Sequence, residues 1–386
     1  MLPDQTSTLG KQRQEGARRG RTHTLSRREK IRKEVDYPSD PHTRVKHQFY
    51  RRYINCWMPR ILQGRWSGDA TVVEAFAGSG RYSDGLDGSP VMIAKAYRQH
   101  RFHDRFNKLD LVTIDKDVRR VAVLTQRMAG LPEDAKVIHA PQEPGPFGER
   151  LPLVLEQHAP QGKATLWIID PWGLKDIPWP DVSACAARKK NEVIISLMLD
   201  EIHRYLGNPA MVDVLTQLFG GTSWQTLDPQ APVAESKEAV KRLYRQRLES
   251  LNCFTGAFDV QARGQTGRYA LIFGTHHKSG LECWNDACWS LDETAGKGSS
   301  AQISFSFGPD IDRLLTYIES LQGSTVTFTD LHRWAIAQGY KETHLRNALG
   351  QLSAEGIVMR VQPVEEAKSP WPSDSVVQVF SPGDSD

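Results

Sequence analysis

Two closely spaced glycines follow a short apolar run near the start of the chain's main body. The run 71–73 ends in Glu74, and a loop containing Phe76, Gly78 and Gly80 follows. Glycines let a backbone approach a ligand without Cβ clashes, and such a loop suits the first βα turn of a doubly wound sheet, where nucleotide-like cofactors bind. These four residues are candidate cofactor-binding residues. The dinucleotide fingerprint and the P-loop are both excluded, because the third glycine and the Gly-Lys-Ser/Thr sequence are missing.

A further acidic residue, Asp115, follows the apolar run 109–114. A carboxylate at the end of the second strand can accept hydrogen bonds from both ribose hydroxyls of an adenosyl group. The separation from Gly80 exceeds the usual spacing of roughly 20 residues, and an insertion at 84–90 accounts for part of it. Asp117 is the better helix N-cap, but a purely capping role for Asp115 stays open.

The third candidate segment is Asp170-Pro171-Trp172-Gly173, which follows the apolar run 164–169. It places a carboxylate and an aromatic ring at the carboxyl edge of a buried strand, where ligands bind in open α/β sheets. Asp170, Pro171 and Trp172 are therefore the candidate catalytic residues. The alternative is a rigid turn in which Trp172 packs against the protein.

Several other chemistries lack the residues they need. Cytosine C5 methylation requires a Cys after a Pro, and the comparable loop 140–144 has none. No Gly-x-Ser-x-Gly elbow supports a hydrolase. Cys283 and Cys288 have no second pair for zinc, and the adjacent His276 and His277 would point in opposite directions on extended backbone. We therefore predict no metal site.

Length and composition indicate a globular protein of two domains. The 386 residues are 39% hydrophobic and 25% charged. No apolar run approaches the roughly 20 residues of a membrane-spanning helix, and no secretory signal is visible. Five scattered cysteines suit reduced thiols, which favours a cytoplasmic location.

The net charge of +3 is distributed unevenly. Residues 1–60 hold 15 basic and 6 acidic residues, a balance of +9, so the rest of the chain balances at −6. A basic arm on a slightly acidic body suggests a polyanionic partner such as nucleic acid. The alternative is a solvated, disordered tail, since residues 1–34 have too few apolar residues to form a core.

Strands and helices are predicted to alternate after residue 45, which favours a mostly parallel sheet with helices on both faces. The predicted strands are Thr71–Phe76, Leu109–Ile114, Lys136–His139, Ala164–Ile169, Val193–Leu199 and Tyr269–Thr275. The predicted helices are Lys46–Leu62, Pro90–His100, Val118–Met128, Phe147–Gln157, Asp181–Lys190, Met211–Phe219 and Glu235–Leu251.

The last 80 or so residues have a different pattern. Three short helices and a two-stranded ribbon are typical of a winged helix-turn-helix, with Thr343–Glu355 as the recognition helix and His344, Arg346 and Asn347 near its start. The alternative is a helical appendage that packs on the main domain or on a partner. The expected domains are a disordered basic arm (1–44), a Rossmann-like domain (45–305) and a winged-helix domain (306–386).

The glycine loop resembles motif I of class I S-adenosylmethionine-dependent methyltransferases, with Glu74 in place of the commoner Asp. In that family the glycines admit the methionine part of the cofactor, and the carboxylate or a relayed water holds its amino group. Asp170-Pro171-Trp172 resembles motif IV of amino-group methyltransferases. There the acidic residue and the prolyl-flanked carbonyl accept hydrogen bonds from the target amine, and the aromatic ring stacks on a flipped base.

Residues 45–290 resemble the three-Cys-motif partner (TcmP) family. The resemblance rests on Lys46-His47, on Glu74 to Tyr82, on Gly85 to Pro90, on Asp170 to Gly173, and on a late strand pair formed by 269–273 and 280–284. It implies a methyltransferase-like Rossmann fold in prokaryotes and mobile elements, with a role in phage defence. It also implies a phage-type partner that carries three cysteines and looks like a radical S-adenosylmethionine enzyme.

Together these features predict an S-adenosylmethionine-binding, methyltransferase-like protein that acts on or with nucleic acid. The candidate nucleic-acid contacts are Lys46, Arg81, Arg346 and Asn347. The alternative is a non-catalytic scaffold that brings a partner enzyme to DNA or RNA. A nuclease-like enzyme is disfavoured, because no dense carboxylate cluster for two metals is visible.

Overall fold

The computed structural model describes residues 34–63, 68–260, 269–293, 295–298, 309–362 and 370–381. Residues Asp36–Asp386 form one compact unit. The first helix begins at Pro41, with Asp40 accepting a hydrogen bond from the Thr43 amide as its N-cap, so residues 41–44 are helical and not part of a disordered arm. Most of the predicted arm, and the predicted boundary at 305/306, lie outside the described residues, so the three-domain division stays a prediction.

Helices and strands alternate along the described chain. The helices are α1 (Pro41–Leu62), α2 (Ser89–Arg98), α3 (Val118–Ala129), α4 (Phe147–Gln157), α5 (Trp179–Ala186), α6 (Leu199–Tyr205), α7 (Val212–Phe219), α8 (Val233–Glu249), α9 (Lys278–Leu291), α10 (Asp312–Glu319), α11 (Phe328–Ala337) and α12 (Glu342–Ala354). The strands are β1 (Ala70–Glu74), β2 (Leu109–Thr113), β3 (Val137–Pro141), β4 (Ala164–Ile169), β5 (Asn191–Leu197), β6 (Phe254–Val260), β7 (Tyr269–Thr275), β8 (Thr325–Thr327), β9 (Val358–Gln362) and β10 (Val376–Val379). Short 3₁₀ helices lie at His103–Arg105, Leu174–Asp176, Pro209–Met211 and Thr222–Thr226.

The centre of the molecule is a seven-stranded sheet with the order β3-β2-β1-β4-β5-β7-β6. Neighbouring strands from β3 to β5 are parallel, and β7 runs antiparallel to both β5 and β6. The mostly parallel, Rossmann-like sheet predicted from the sequence is therefore confirmed. Glu74 pairs in register with Thr113 and Ile168, which places the carboxyl ends of β1, β2 and β4 at the same edge.

Both faces of this sheet are buried under helices. Alternate residues of β1 enter different apolar clusters: Val72 packs with α1, α2 and α9 on one face, and Val73 packs with α4, α5, α7 and α8 on the other. Strands covered on both sides are apolar along nearly their whole length, which is why β1 and β4 were visible in the sequence.

Three elements of the main body were absent from the sequence-based prediction, namely α6, β6 and α9. The resemblance placed residues 280–284 in a late strand, and that placement is wrong. These residues belong to α9, where Leu281, Trp284 and Cys288 are buried along one face at helical spacing. The side chain of His277 caps this helix by accepting a hydrogen bond from the Ser279 amide.

The C-terminal module, which we define as α10–α12 with β8–β10, is a small helical layer beside a three-stranded antiparallel sheet with the order β8-β10-β9. It packs against α9. Asn285 Nδ2 donates hydrogen bonds to the carbonyls of Ile336 at 2.9 Å and Tyr340 at 3.1 Å. Trp289 Nε1 donates to the Gly339 carbonyl at 2.7 Å. The α11–α12 turn is therefore fixed to the main body.

Two cysteines far apart in sequence also join helices. Cys56 on α1 and Cys283 on α9 form a disulfide across 227 residues, so the expectation that all thiols are reduced is wrong for this pair. Cys185, Cys253 and Cys288 are free and buried. Among the described residues, none of the helices combines the length and apolar character needed to cross a membrane.

Candidate functional site

A cleft of about 130 Å³ lies at the sheet edge where β1, β2 and β4 end. We call it the cleft, and its lining residues are Tyr37, Asp40, Thr43, Lys46, His47, Phe76, Ala77, Gly78, Ser79, Gly80, Arg81, Tyr82, Gly88, Ser89, Asp170, Pro171, Trp172 and Tyr269. The predicted glycine loop and the predicted catalytic segment thus share one cleft. Glu74 and Asp115 are not in this lining. Each is hydrogen-bonded to a lining residue, Glu74 to Ser89 and Asp115 to the Gly78 amide.

The glycine loop needs its glycines for two different reasons. Gly78 and Gly80 both have positive φ, at +63° and +82°, a region that side chains disfavour. A Cβ on Gly80 would lie 2.6 Å from Leu124 Cδ1, whereas one on Gly78 would meet no atom within 4 Å. Gly88 closes against the same loop, since its amide donates to the Gly80 carbonyl at 2.8 Å. Gly80 and Gly88 allow packing, and Gly78 leaves open space at the cleft.

Asp115, just after β2, is hydrogen-bonded to the backbone of this loop. One carboxylate oxygen accepts a hydrogen bond from the Gly78 amide at 2.9 Å, and the other accepts one from the Asp117 amide at 2.9 Å. The cap of α3 is Asp117, whose side chain accepts from the Arg119 amide. A purely capping role for Asp115 is therefore excluded. Because each carboxylate oxygen has two lone pairs, Asp115 can accept further hydrogen bonds.

Glu74 is a buried carboxyl beneath the loop. It is 2% exposed, and its Oε1 atom has no hydrogen-bond partner among the described residues. Burial raises the pKa of Glu74 to about 8, although a hydrogen bond from Ser89 acts in the opposite direction. The carboxyl is thus largely protonated at neutral pH, and it offers an unpartnered polar atom next to the glycine loop.

Asp170 follows β4 directly and is held by Lys46 from α1. Lys46 Nζ donates to both carboxylate oxygens, at 2.7 Å and 2.6 Å. The ammonium also lies 5.2 Å from the centre of the Tyr269 ring, a cation–π contact. Burial acts to lower the pKa of Lys46, but the charge and hydrogen bonds of Asp170 outweigh burial and raise it. Lys46 therefore carries a full positive charge in the cleft.

Trp172 lines the cleft and is half-buried. Its ring centre lies 5.0 Å from that of Tyr37, and the guanidinium of Arg120 lies 5.1 Å from the Trp172 ring and 5.4 Å from the Tyr37 ring. Pro171 is buried. Phe76 is half-buried and contacts Phe147, with ring centres 5.8 Å apart. Trp172 is thus both a packed side chain and an accessible wall of the cleft.

The sequence-based prediction missed the segment Asp36–Asp40, which crosses the glycine loop. Asp36 accepts hydrogen bonds from Ser79 Oγ at 2.6 Å and from Arg127 at 2.8 Å and 2.6 Å. The Ser83 amide donates to the Tyr37 carbonyl at 3.0 Å. An acidic and an aromatic residue just before α1 were the only available signal, because these contacts join residues more than 40 positions apart.

His47 is a second cleft residue without a predicted role. It is buried against Tyr82, with ring centres 5.6 Å apart. Burial, followed by the charge of Lys46, lowers the pKa of His47 to about 4. Its imidazole is therefore neutral at physiological pH and adds no charge to the cleft.

The four candidate nucleic-acid contacts do not form one surface. Lys46 is buried in the cleft and paired with Asp170, so its contact with nucleic acid stays a prediction and requires a group that enters the cleft. Arg81 is exposed at the rim of the cleft. Arg346 and Asn347 lie on α12, outside the cleft lining. Arg346 donates to Glu342 Oε1 at 2.9 Å and covers the Phe328 ring, whereas Asn347 is exposed.

Among the described residues, no group of three or more His, Cys, Asp or Glu side chains could hold a metal ion. His344, which the sequence placed near the exposed start of the recognition helix, is instead buried against Trp289, with ring centres 4.3 Å apart.

Comparisons with known proteins give structural similarity only. No family model and no curated protein matches the chain. Among solved structures, the chain is similar to Trm1 from Pyrococcus horikoshii in complex with S-adenosyl-L-methionine, at 10% identity over 89% of this chain and 92% of that one, with a TM-score of 0.35. It is also similar to a geranyl diphosphate methyltransferase in complex with SAM, at 13% identity over 63% of this chain and 94% of that one, with a TM-score of 0.32. At these values neither similarity assigns an activity or a substrate to the chain.

Proposed function

We propose that this chain is an S-adenosylmethionine-binding, methyltransferase-like protein that acts on nucleic acid. One observation carries the proposal: the glycine loop and Asp170-Pro171-Trp172 line a single cleft at the carboxyl edge of a Rossmann-like sheet. Ligands of open α/β sheets bind at this edge. A cofactor-binding element and an acceptor-binding element in one cleft are what a group-transfer reaction requires.

The residues beside the cleft fit this cofactor. Glu74 Oε1 is a buried polar atom without a partner among the described residues. A cationic amino group bound beside it would favour the ionised carboxylate over the protonated form that burial favours. Gly78 leaves open space where a side chain would project. Asp115 retains lone pairs for ribose hydroxyls. When bound, the cofactor supplies an electrophilic methyl group.

The remaining residues would hold the methyl acceptor. Asp170 and the backbone carbonyl at Pro171 are hydrogen-bond acceptors for an amine, and Trp172 offers a ring face for a base. The rings of Tyr37 and Trp172, whose centres lie 5.0 Å apart, form one wall of the cleft. Positioning of this kind supplies much of the rate of a transfer reaction, since reactants held in line need no further ordering.

Two features support nucleic acid as the partner: the positive charge of residues 1–60 and the fold of the C-terminal module. Residues 1–60 carry a net charge of +9, and polyphosphates attract such segments. Three helices beside a three-stranded antiparallel sheet support a winged-helix assignment for the C-terminal module, in which exposed Asn347 on α12 would contact a groove. Arg81 at the cleft rim would contact a phosphate.

We further propose that the chain belongs to the TcmP family. In phage defence it would then work with a partner that carries three cysteines and looks like a radical S-adenosylmethionine enzyme. The support is the sequence resemblance, whose glycine loop and Asp-Pro-Trp-Gly segment lie together in the cleft. A cytoplasmic location belongs to the same proposal and rests on the resemblance alone, since the Cys56–Cys283 disulfide removes the support from reduced thiols. Co-expression with a three-cysteine partner and recovery of a stable complex would test it, and separate elution of the two proteins would count against it.

The cofactor part of the proposal is tested by calorimetry with S-adenosylmethionine. We expect saturable binding by the wild-type chain and weaker binding by Asp115→Ala. Absence of binding at millimolar ligand would overturn it. The nucleic-acid part is tested by transfer of labelled methyl groups to total RNA and to DNA, with Asp170→Asn as the inactive control.

A non-catalytic scaffold is the second candidate, and one observation favours it. Lys46 already occupies both oxygens of Asp170, as expected for a carboxylate that serves structure. If an Asp170→Ala variant kept full biological activity in the partner complex, the scaffold would be preferred to the enzyme.

A further inference from the structure

The contact between Lys46 and Asp170 determines the charge of the acceptor side of the cleft. Both residues line the cleft, and the side chain of Lys46 is only 9% exposed, against 32% for Asp170. An ammonium has three N–H donors and a carboxylate has about four acceptor positions. Two donors meet the two oxygens of Asp170. One N–H of Lys46 and about two lone pairs of Asp170 are therefore left for a ligand.

The other groups in the lining do not restore a negative charge beside Asp170. His47 is neutral, since its pKa is about 4. Glu74 lies below the loop and outside the lining; its pKa of about 8 keeps it largely protonated in the free protein, and with cofactor bound its charge would be paired with the cofactor's amino group. Asp40 and Arg81 carry opposite charges at exposed positions of the lining. Lys46 thus turns a lone carboxylate into a neutral pair that offers both a hydrogen-bond donor and an acceptor.

We propose that Lys46 is a specificity-determining residue of the acceptor site, which admits an uncharged acceptor amine such as the exocyclic amine of a nucleobase and disfavours an alkylammonium group such as a lysine side chain. The inference rests on the proposed function, because it assumes that the methyl donor binds over the glycine loop. A cation entering the cleft would meet the ammonium of Lys46, and the carboxylate that could attract it is already paired. A nucleobase edge, with an amine beside a carbonyl or ring nitrogen, matches both members of the pair.

A pair of cofactor analogues tests this inference without a known substrate. S-Adenosylhomocysteine is uncharged at the position of the transferred methyl, whereas sinefungin carries an ammonium group there. The ratio of their dissociation constants, measured by calorimetry, reports whether the acceptor side favours a cation. For the wild-type chain we expect similar affinities for the two ligands. In Lys46→Met, an unpaired Asp170 would favour sinefungin by roughly tenfold or more, the value of one charged hydrogen bond.

Further variants separate charge from structure. Lys46→Arg keeps the charge and should keep the wild-type ratio. The double variant Lys46→Met/Asp170→Asn removes both charges, so it should lose the preference for sinefungin and should also fold if Lys46→Met alone does not. Lys163→Met is the matched control, because Lys163 forms a similar 2.6 Å ion pair with Asp110 outside the cleft.

The outcomes are distinct. An unchanged ratio in Lys46→Met, with normal binding of S-adenosylhomocysteine, overturns the inference and leaves the proposed function intact. If Lys46→Met does not fold, a double variant that folds and still prefers sinefungin also overturns it. A wild-type chain that binds neither ligand overturns the proposed function, and the inference is rejected with it.

Discussion

The carboxylate of Asp115 accepts a hydrogen bond from the backbone amide of Gly78 at 2.9 Å. This bond joins the end of β2 to the glycine loop after β1, across 37 residues of sequence. The loop is therefore held in one conformation by a residue that also has lone pairs for a ligand. Loss of this side chain should affect the loop and the ligand together.

We expect Asp115→Ala to weaken binding of S-adenosylmethionine by roughly tenfold to a hundredfold, because hydrogen bonds to charged groups are lost at the loop and at the proposed ribose contact. Calorimetry measures this change. Asp110→Ala is the control and should bind normally, because Asp110 lies on β2, ahead of Asp115, and is paired with Lys163. Equal affinities for both variants would argue against a cofactor at this loop.

Substitution of the two loop glycines should separate stability from binding. Gly80→Ala combines positive φ with a Cβ only 2.6 Å from Leu124 Cδ1, so we expect a loss of about 2–3 kcal/mol in the free energy of unfolding. Gly78→Ala meets no atom within 4 Å and should cost about 1 kcal/mol, but its methyl group would project into ligand space. Urea unfolding and calorimetry check the two effects, and a reversed order would contradict the assigned roles.

Glu74 should make the folded protein less stable as the pH rises, which is the opposite of what an ion-paired carboxylate does. Burial raises its folded-state pKa to about 8 from an ordinary value of 4.5, so the folded protein binds a proton more tightly than the unfolded chain. The stabilising contribution is complete below pH 4.5 and is lost as the pH rises through 8. We expect the wild-type chain to lose on the order of a few kcal/mol relative to Glu74→Gln over this range.

Urea unfolding of both proteins from pH 5 to pH 9 measures this difference directly, and other titrating groups cancel in the comparison. A difference in unfolding free energy that stays constant with pH would show that Glu74 is already ionised in the folded protein.

The Cys56–Cys283 bond predicts a specific thiol count. The chain has five cysteines, so unfolding without reductant should expose three alkylatable thiols, and unfolding with reductant should expose five. Cys56→Ser should lower the free energy of unfolding by about 2–5 kcal/mol, since a long loop is no longer closed in the unfolded chain. Cys185→Ser leaves the bond intact and serves as control. Five thiols without reductant would mean that the bond is absent in solution.

Removal of residues 1–33 should weaken binding to nucleic acid and reduce its salt dependence. The basic residues of this segment would release counterions from the phosphate backbone, so the slope of log affinity against log salt should become less negative in the shortened chain. Fluorescence anisotropy with a labelled duplex at several salt concentrations measures the slope. Asn347→Ala, which removes no charge, should leave it unchanged. Equal slopes for the full and shortened chains would exclude a role for the arm.

The sheet edge that bears the cleft could be predicted because its sequence signals are local. The apolar run before Glu74, the glycines at 78 and 80, and the apolar run before Asp170 each lie within about ten residues. The parallel order of the strands then places their carboxyl ends at one edge. Helix α9 was missed although its apolar pattern is also local, because the family resemblance placed residues 280–284 in a strand.

The contact between Lys46 and Asp170 in the cleft could not be predicted from local sequence signals. Lys46 and Asp170 are 124 residues apart, and neither helical periodicity nor strand alternation indicates which charged residue a buried carboxylate will meet. The same applies to Asp36 with Ser79, and to Cys56 with Cys283. Such pairs depend on how α1 and α9 cross the sheet, which is a property of the packed structure.

Helix α9 is fixed on two sides, through Cys283 to α1 and through Asn285 and Trp289 to the C-terminal module. Lys46 belongs to α1, and exposed Asn347 belongs to the module. The separation between these two residues is thus set by rigid attachments and not by a linker. If one nucleic acid contacts both residues, as proposed, only a substrate whose groove contact and reacting base lie at that fixed separation can engage both positions at once.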